Sequence, residues 1–160
     1  QGLMLQMSVK ENATLSVLPR VSRWGLLSAG AEKTLFDPAA QRLRLKPASP
    51  DLPVGKLSGG NQQKALLARA IFADPDILFL DDPARGIDVA AKEDIYRLIS
   101  ELAASGKSIL LASSELPELM RCADRILVLR EGRVTGMFPA SDATQEAIMA
   151  AATHSFAEAG

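Results

Sequence analysis

An α/β fold with a mostly parallel sheet flanked by helices is predicted by three features of this chain. From Leu57 onward, short apolar runs alternate with helix-compatible ones, the strand–helix–strand–helix–strand order of crossover units. The runs Ile77–Leu80 and Ser108–Ala112 are almost wholly apolar, as strands covered on both faces are. The helical segment before each of them ends at a stop signal, Asp74-Pro75 and Ser105-Gly106.

The 160 residues fit one domain, enough to bury roughly two-thirds of the unfolded surface. With 18 basic and 19 acidic residues the net charge is −1, which makes no bulk electrostatic case for nucleic acid or an anionic membrane. No run approaches the roughly 18–20 apolar residues of a membrane span, and no signal peptide is visible. The single cysteine, Cys122, excludes an internal disulfide and suits a reducing compartment. The chain opens at Gln1, without Met and within apolar sequence, so a piece of something longer is expected.

Residues 1–56 read as a small helical subdomain and connector. Gly2–Val9 suits either a short strand or an apolar loop. Ser8 and Glu11 have capping-box spacing, and Asn12–Val17 would continue that helix until Pro19 stops it. Trp24 sits in a Gly/Ser-rich neighbourhood, and Ala31–Leu45 forms one more helix around Pro38. Pro47, Pro50 and Pro53 exclude regular helix and make an extended connector.

Residues 57–142 carry the regular pattern and residues 143–160 a terminal helix and tail. Helix 61–73 places Leu66, Leu67, Ala70 and Ile71 on one face, and helix 89–104 places Ile95, Leu98, Ile99 and Leu102 on one side. Glu115–Cys122 is a short helix, Ile126–Leu129 a strand, Glu131-Gly132 a turn and Arg133–Phe138 a returning edge strand. Thr144–Ala152 is the last helix.

The stretch Leu57-Ser58-Gly59-Gly60-Asn61-Gln62-Gln63-Lys64 carries the chemistry. A hydroxyl, two glycines open to close approach and a helix start present N–H groups and a positive dipole end to an anion. Taken alone, Ser-Gly-Gly is more often merely a turn and an N-cap, and the eight residues with the strand that follows reverse that balance. The strand that follows delivers Asp81 and Asp82, and carboxylates at a strand's C-terminal end suit a hard cation.

LSGGNQQK, the strand ending Asp81-Asp82-Pro83, and Arg85-Gly86-Ile87-Asp88 together resemble the ATP-binding domain of ABC transporters, a P-loop NTPase-like fold. Asn61, Ser113-Ser114-Glu115 and Met7–Asn12 bring the likeness closest to the C-terminal ATPase half of bacterial ribose- and galactose-type sugar importers. The resemblance implies ATP and Mg²⁺ as cofactors. It implies that Ser58, Gly59 and Gly60, with Asn61 and Gln62 beside them, bind the γ-phosphate of ATP held on the opposite domain. Asp81 matches the residue that holds Mg²⁺ through water, and Asp88 the one at the interface between paired ATPase domains. Asp82 stands where the family has a glutamate that polarises the attacking water; losing a methylene displaces the carboxylate, and such a shift costs about 100-fold. Ser114 replaces a switch histidine and cannot become cationic near neutral pH; His154, in an alanine-rich terminal segment, does not substitute for it.

No G-x-x-x-x-G-K-[ST] occurs in the chain; Gly55-Lys56 lacks the earlier glycine and the Ser/Thr. The phosphate-cradling segment is therefore expected upstream of Gln1, leaving the sheet incomplete on its N-terminal side with an apolar edge uncovered. The expected role is part of the ATP-hydrolysing subunit of a sugar importer, supplying the Ser58–Gly60 loop to a composite site while the isolated fragment is inactive. Implied partners are a second ATPase half arranged head to tail, membrane-spanning permease subunits and, indirectly, a sugar-binding protein, with no nucleic acid, at the cytoplasmic face of the inner membrane. The Met7 and Val9 region is a candidate permease contact, and an apolar flap covering the core is an equal local reading. Alternatives are a non-transport ABC-class ATPase and a truncated, non-catalytic interaction module.

Overall fold

A computed structural model describes residues 2–45 and 50–153, which divide into two units, residues 1–110 and 111–160. Part of the proline connector, including Pro47, and His154 lie outside the described residues.

The first unit begins with an irregular stretch, so the loop alternative holds for residues 2–7. The capping box is formed: Ser8 N–H donates to Glu11 Oε2 (2.7 Å) and Glu11 N–H to Ser8 Oγ (3.1 Å), starting α1 (Val9–Thr14). Pro19 does not stop the chain there. A 3-10 turn, Leu15–Val17, leads into α2 (Leu18–Val21), where proline occupies the first turn, which loses no hydrogen bond to it. A hairpin unforeseen in the sequence follows, β1 (Ser22–Arg23) against β2 (Leu26–Leu27). Its turn is Trp24-Gly25, both at positive φ (55° and 78°), the geometry that matches strand twist. Ser28 caps α3 (Ala29–Arg42), which contains Pro38.

Val9 is wholly buried, which removes it as a permease contact and favours the covering reading of that region. Asn12, equally buried, organises the segment: it receives Met4 N–H (2.8 Å), donates to the Met4 and Ser8 carbonyls, and accepts from Arg69 Nη2 (2.9 Å). Arg69 thereby ties α1 to α4 (Gly59–Phe72), and burial pushes its guanidinium down from the ordinary arginine range.

The buried positions of α4 are Gly60, Lys64, Ala65, Leu67, Ala68 and Phe72, so the expected face is rotated and only Leu67 of the four predicted residues is fully enclosed. Lys64, absent from the apolar face read from the sequence, is carried inside by its ion pair with Asp94. In α5 (Val89–Ala104) all four predicted residues, Ile95, Leu98, Ile99 and Leu102, are buried. The strands β3 (Ile77–Asp81) and β4 (Ser108–Ala112) form a parallel two-stranded sheet joined through α5. Leu78 and Leu80 are buried while Ile77, Phe79 and Leu110 are exposed. This corrects the expectation that the strand is covered on both faces: a whole apolar face, more than an edge, lies open.

In the second unit, Glu115 precedes α6 (Leu116–Cys122), and β5 (Arg125–Arg130) pairs antiparallel with β6 (Arg133–Pro139). Glu131-Gly132 makes the connecting turn, at φ 52° and 77°. Ile126 and Val128 from β5 and Ile148 from α7 (Gln145–Thr153) form its core, with Leu116, Leu119, Met120 and Phe138 around them.

Candidate nucleotide site

Ser58 is the N-cap of α4, with extended backbone, but its hydroxyl accepts no helix N–H. It instead receives Asn61 Nδ2 at 3.0 Å, while Gln62 Nε2 donates to the Leu57 carbonyl at 3.0 Å. The two amides thus brace the loop from inside the first turn, and the loop's own hydroxyl stays off the helix end. The first N–H groups of a 14-residue helix point out of it beside this hydroxyl, an arrangement suited to a concentrated negative charge.

The two glycines do different work. A Cβ on Gly60 would lie 2.7 Å from the Ala91 Cβ and 3.9 Å from Asp88 Oδ2, so its absence lets α4 approach the start of α5. Gly59 is exposed, and a Cβ there would meet nothing closer than the Gly86 carbonyl oxygen at 4.0 Å. Packing therefore explains Gly60, and an open surface explains Gly59. Neither the Gly60–Ala91 contact nor the positive φ of Gly86 (71°) enters a reading by motif, although the glycine doublet itself signalled a close approach.

Asp88 sits next to this loop and caps α5, its Oδ1 accepting from Ala91 N–H at 2.9 Å. A local structural role thus accounts for the residue independently of any partner. Asp81 ends β3, exposed, and Asp82 follows in a left-handed conformation (φ 43°), which aspartate tolerates better than most side chains. Asp82 Oδ2 lies 3.7 Å from Arg85 Nη1 across the turn that leads to Gly86. The predicted residues Ser58, Gly59, Gly60 and Asp88 are brought together within the first unit. Ser114 belongs to the second, exposed on the turn between β4 and α6. Its neighbour Ser113 is locked, accepting Glu115 N–H at 3.0 Å and donating to the buried Glu118 carboxylate.

Among the described residues no group of three or more histidine, cysteine or acidic side chains could hold a metal. Magnesium at nucleotide sites takes one or two carboxylates and completes its shell with phosphate oxygens and water. The exposed Asp81 carboxylate at the end of β3 suits such a shared ion and does not suit an all-protein cage.

The chain is similar to known proteins in sequence and in fold. A family model described as ABC transporter matches residues 1–85. The chain is 52% identical over 153 residues to the ribose import ATP-binding protein RbsA 2 of Rubrobacter xylanophilus, covering 96% of this chain and 30% of that protein. It is 47% identical to the xylose import ATP-binding protein XylG of Geobacillus kaustophilus, with 95% and 30% covered. The chain thus spans 30% of the length of these curated relatives. Among solved structures, the dimeric ATP-binding cassette MJ0796 bound to ADP and Pi superposes with a TM-score of 0.72 at 22% identity, over 86% of this chain and 59% of that one. The ADP conformation of the cassette MJ1267 gives 0.71 at 21% identity, with 92% and 59% covered. These likenesses show an ABC ATPase fold, and with the family match over residues 1–85 they make the chain a member of the ABC transporter family.

Proposed function

We propose that this chain is part of the ATP-hydrolysing subunit of a bacterial sugar importer and that it contributes the Ser58–Gly60 loop to an ATP site completed by another ATPase half. The observation that carries this is the Ser58 hydroxyl, held off the helix end by Asn61, beside the open Gly59 at the start of α4, in a chain without a phosphate-cradling G-x-x-x-x-G-K-[ST] sequence. The names of the relatives, ribose and xylose import ATP-binding proteins, support the sugar-import assignment.

In this reading Ser58 donates its hydroxyl, and Gly59 and Gly60 their N–H groups, to the γ-phosphate of ATP held by the partner half. Charge-assisted hydrogen bonds of this kind contribute about 1.5–3 kcal/mol each. Asn61 and Gln62 hold the loop in shape, and Asp88 fixes the start of α5 against it. A magnesium ion would be held by Asp81 and supply charge neutralisation at the phosphates. Asp82, shorter than glutamate, makes this chain's own site slow or non-hydrolysing, and Ser114, which cannot carry a positive charge, stands where the family's switch histidine would. The partners are a second ATPase half, arranged head to tail, permease subunits in the membrane and, through them, a sugar-binding protein. The names of the relatives, import ATP-binding proteins, support a peripheral place on the cytoplasmic face of the inner membrane.

Asymmetric mutagenesis in the full-length subunit tests the division of roles. Gly59→Asp is expected to abolish ATP turnover and Asp82→Asn to leave most of it. Turnover that survives Gly59→Asp and disappears with Asp82→Asn would falsify the proposal.

A further inference from the structure

The chain's one tryptophan stands at the turn of the β1–β2 hairpin with 91% of its surface exposed. Leu26 (75% exposed) and Leu27 (57%) follow it, and Leu18 is partly exposed nearby in sequence. Trp24 and Gly25 make the turn in left-handed conformations, and the exposed indole is followed directly by two exposed leucines, an apolar tip on the ribbon. Exposing them costs hydrophobic free energy that nothing in residues 2–45 recovers.

Charge separates the possible occupants. Although the chain's net charge is −1, residues 15–31 contain Arg20 and Arg23 and no acid. The next carboxylate, Glu32, is buried against Lys10 and Thr14. Arg20 is engaged with the Phe72 carbonyl (3.1 Å) and lies close enough to act on Asp74, which leaves Arg23 as the exposed cation at the tip. Arg23 pairs across the ribbon with Leu26, so cation and apolar side chain share one face. An aromatic tip, flanking leucines and a basic residue behind them match a bilayer interface, where indole rings settle at the headgroup level and arginine meets anionic lipid.

We propose that the Trp24 hairpin is a contact for an anionic phospholipid surface, inserting Trp24, Leu26 and Leu27 at the headgroup level with Arg23 on lipid phosphates. The contact is separate from the nucleotide loop and does not depend on the function proposed for it.

Because Trp24 is the sole tryptophan, its fluorescence reports this point alone. The 160-residue chain is mixed with vesicles of phosphatidylcholine, with and without phosphatidylglycerol. Expected is a blue shift and loss of acrylamide quenching with the anionic vesicles, and quenching by bromine-labelled acyl chains. A single interfacial cation is worth about 1 kcal/mol, so Arg23→Ala should weaken partitioning about fivefold. Leu26→Ser should weaken it further, and Phe79→Ser, on the open face of β3, should leave the Trp24 response unchanged. No spectral change with either vesicle would overturn the proposal and leave an acidic protein partner. Equal responses to neutral and anionic vesicles would overturn the charge recognition. A response abolished by Phe79→Ser but not by Arg23→Ala would move the contact to the sheet face and overturn it as well.

Discussion

Lys64 Nζ lies 2.6 Å from Asp94 Oδ2, with the lysine side chain only 7% exposed. This pair joins α4, at the last residue of LSGGNQQK, to α5, and Asp94 also meets Arg44 and Arg97 at 3.3 and 3.4 Å. A buried ammonium is tolerated only while paired, and removing one partner of a buried pair costs far more than the pair contributes. Asp94→Ala should therefore destabilise the chain by about 3 kcal/mol. Lys64→Met should cost less, because Asp94 keeps two arginines and the methionine fills the space. Urea unfolding of the two variants measures the difference, and equal midpoints would show that the pair does not join the helices.

The same cluster sets an acid limit. Burial alone would raise the Asp94 pKa, but the Lys64 hydrogen bond and the Lys64, Arg44 and Arg97 charges outweigh it and hold the carboxyl below its ordinary 3.8. Glu11 is likewise lowered, by the Ser8 N–H and then the Ser8 hydroxyl. Groups with depressed folded-state pKa values add stability above their unfolded values and lose it as pH falls through the folded ones. The urea midpoint should hold from neutrality to roughly pH 5 and decline below it. Asp94→Asn should start lower and decline less. On the alkaline side Lys10, raised by its hydrogen bond to Asp51 against burial, adds stability below 10.5 that disappears as pH rises through its folded value.

Gly59 and Gly60 separate stability from activity. Alanine at Gly60 meets the Ala91 Cβ at 2.7 Å, a contact that must be relieved by moving α4 from α5. Overpacking of that kind costs about 1–3 kcal/mol, read as a lowered Tm. Alanine at Gly59 has room and improves helix propensity, so Tm should hold or rise slightly. If Gly59 faces phosphate, ATP turnover by the full-length subunit should nevertheless fall with Gly59→Ala. Unchanged turnover would assign Gly59 to helix entry alone.

Much of this arrangement was legible in the residues. Ile95, Leu98, Ile99 and Leu102 recur at helical spacing and are all buried, because apolar residues fill most of the inner face of α5. The inner face of α4 was not legible, since one of its positions is a lysine whose partner Asp94 lies thirty residues away, and periodicity counts lysine as outside. The Trp24-Gly25 turn was missed because tryptophan is a poor predictor of positive φ. At the nucleotide loop, eight residues pointed to the chemistry, yet the reason for Gly60 depended on Ala91, a residue with no motif. Asn12 falls within the Met7–Asn12 likeness, but its role as the acceptor of Arg69 emerges only in the folded chain.

Asp88 holds a structural role at the start of α5, and substitution can separate it from the interfacial role proposed for the same residue. Its Oδ1 caps α5 through Ala91 N–H, and losing an N-cap acceptor costs about 1 kcal/mol. Asp88→Ala should lower the stability of the chain by that amount, while Asp88→Asn keeps an acceptor oxygen and should leave unfolding nearly unchanged. The asparagine variant removes only the charge. If Asp88 also serves the contact between paired ATPase halves, Asp88→Asn should reduce ATP turnover in the full-length subunit while the isolated chain unfolds as before. Wild-type turnover from Asp88→Asn, together with a stability loss in Asp88→Ala, would restrict Asp88 to capping α5. The N-terminus of that helix would then present its shape, and not its carboxylate, to whatever faces it.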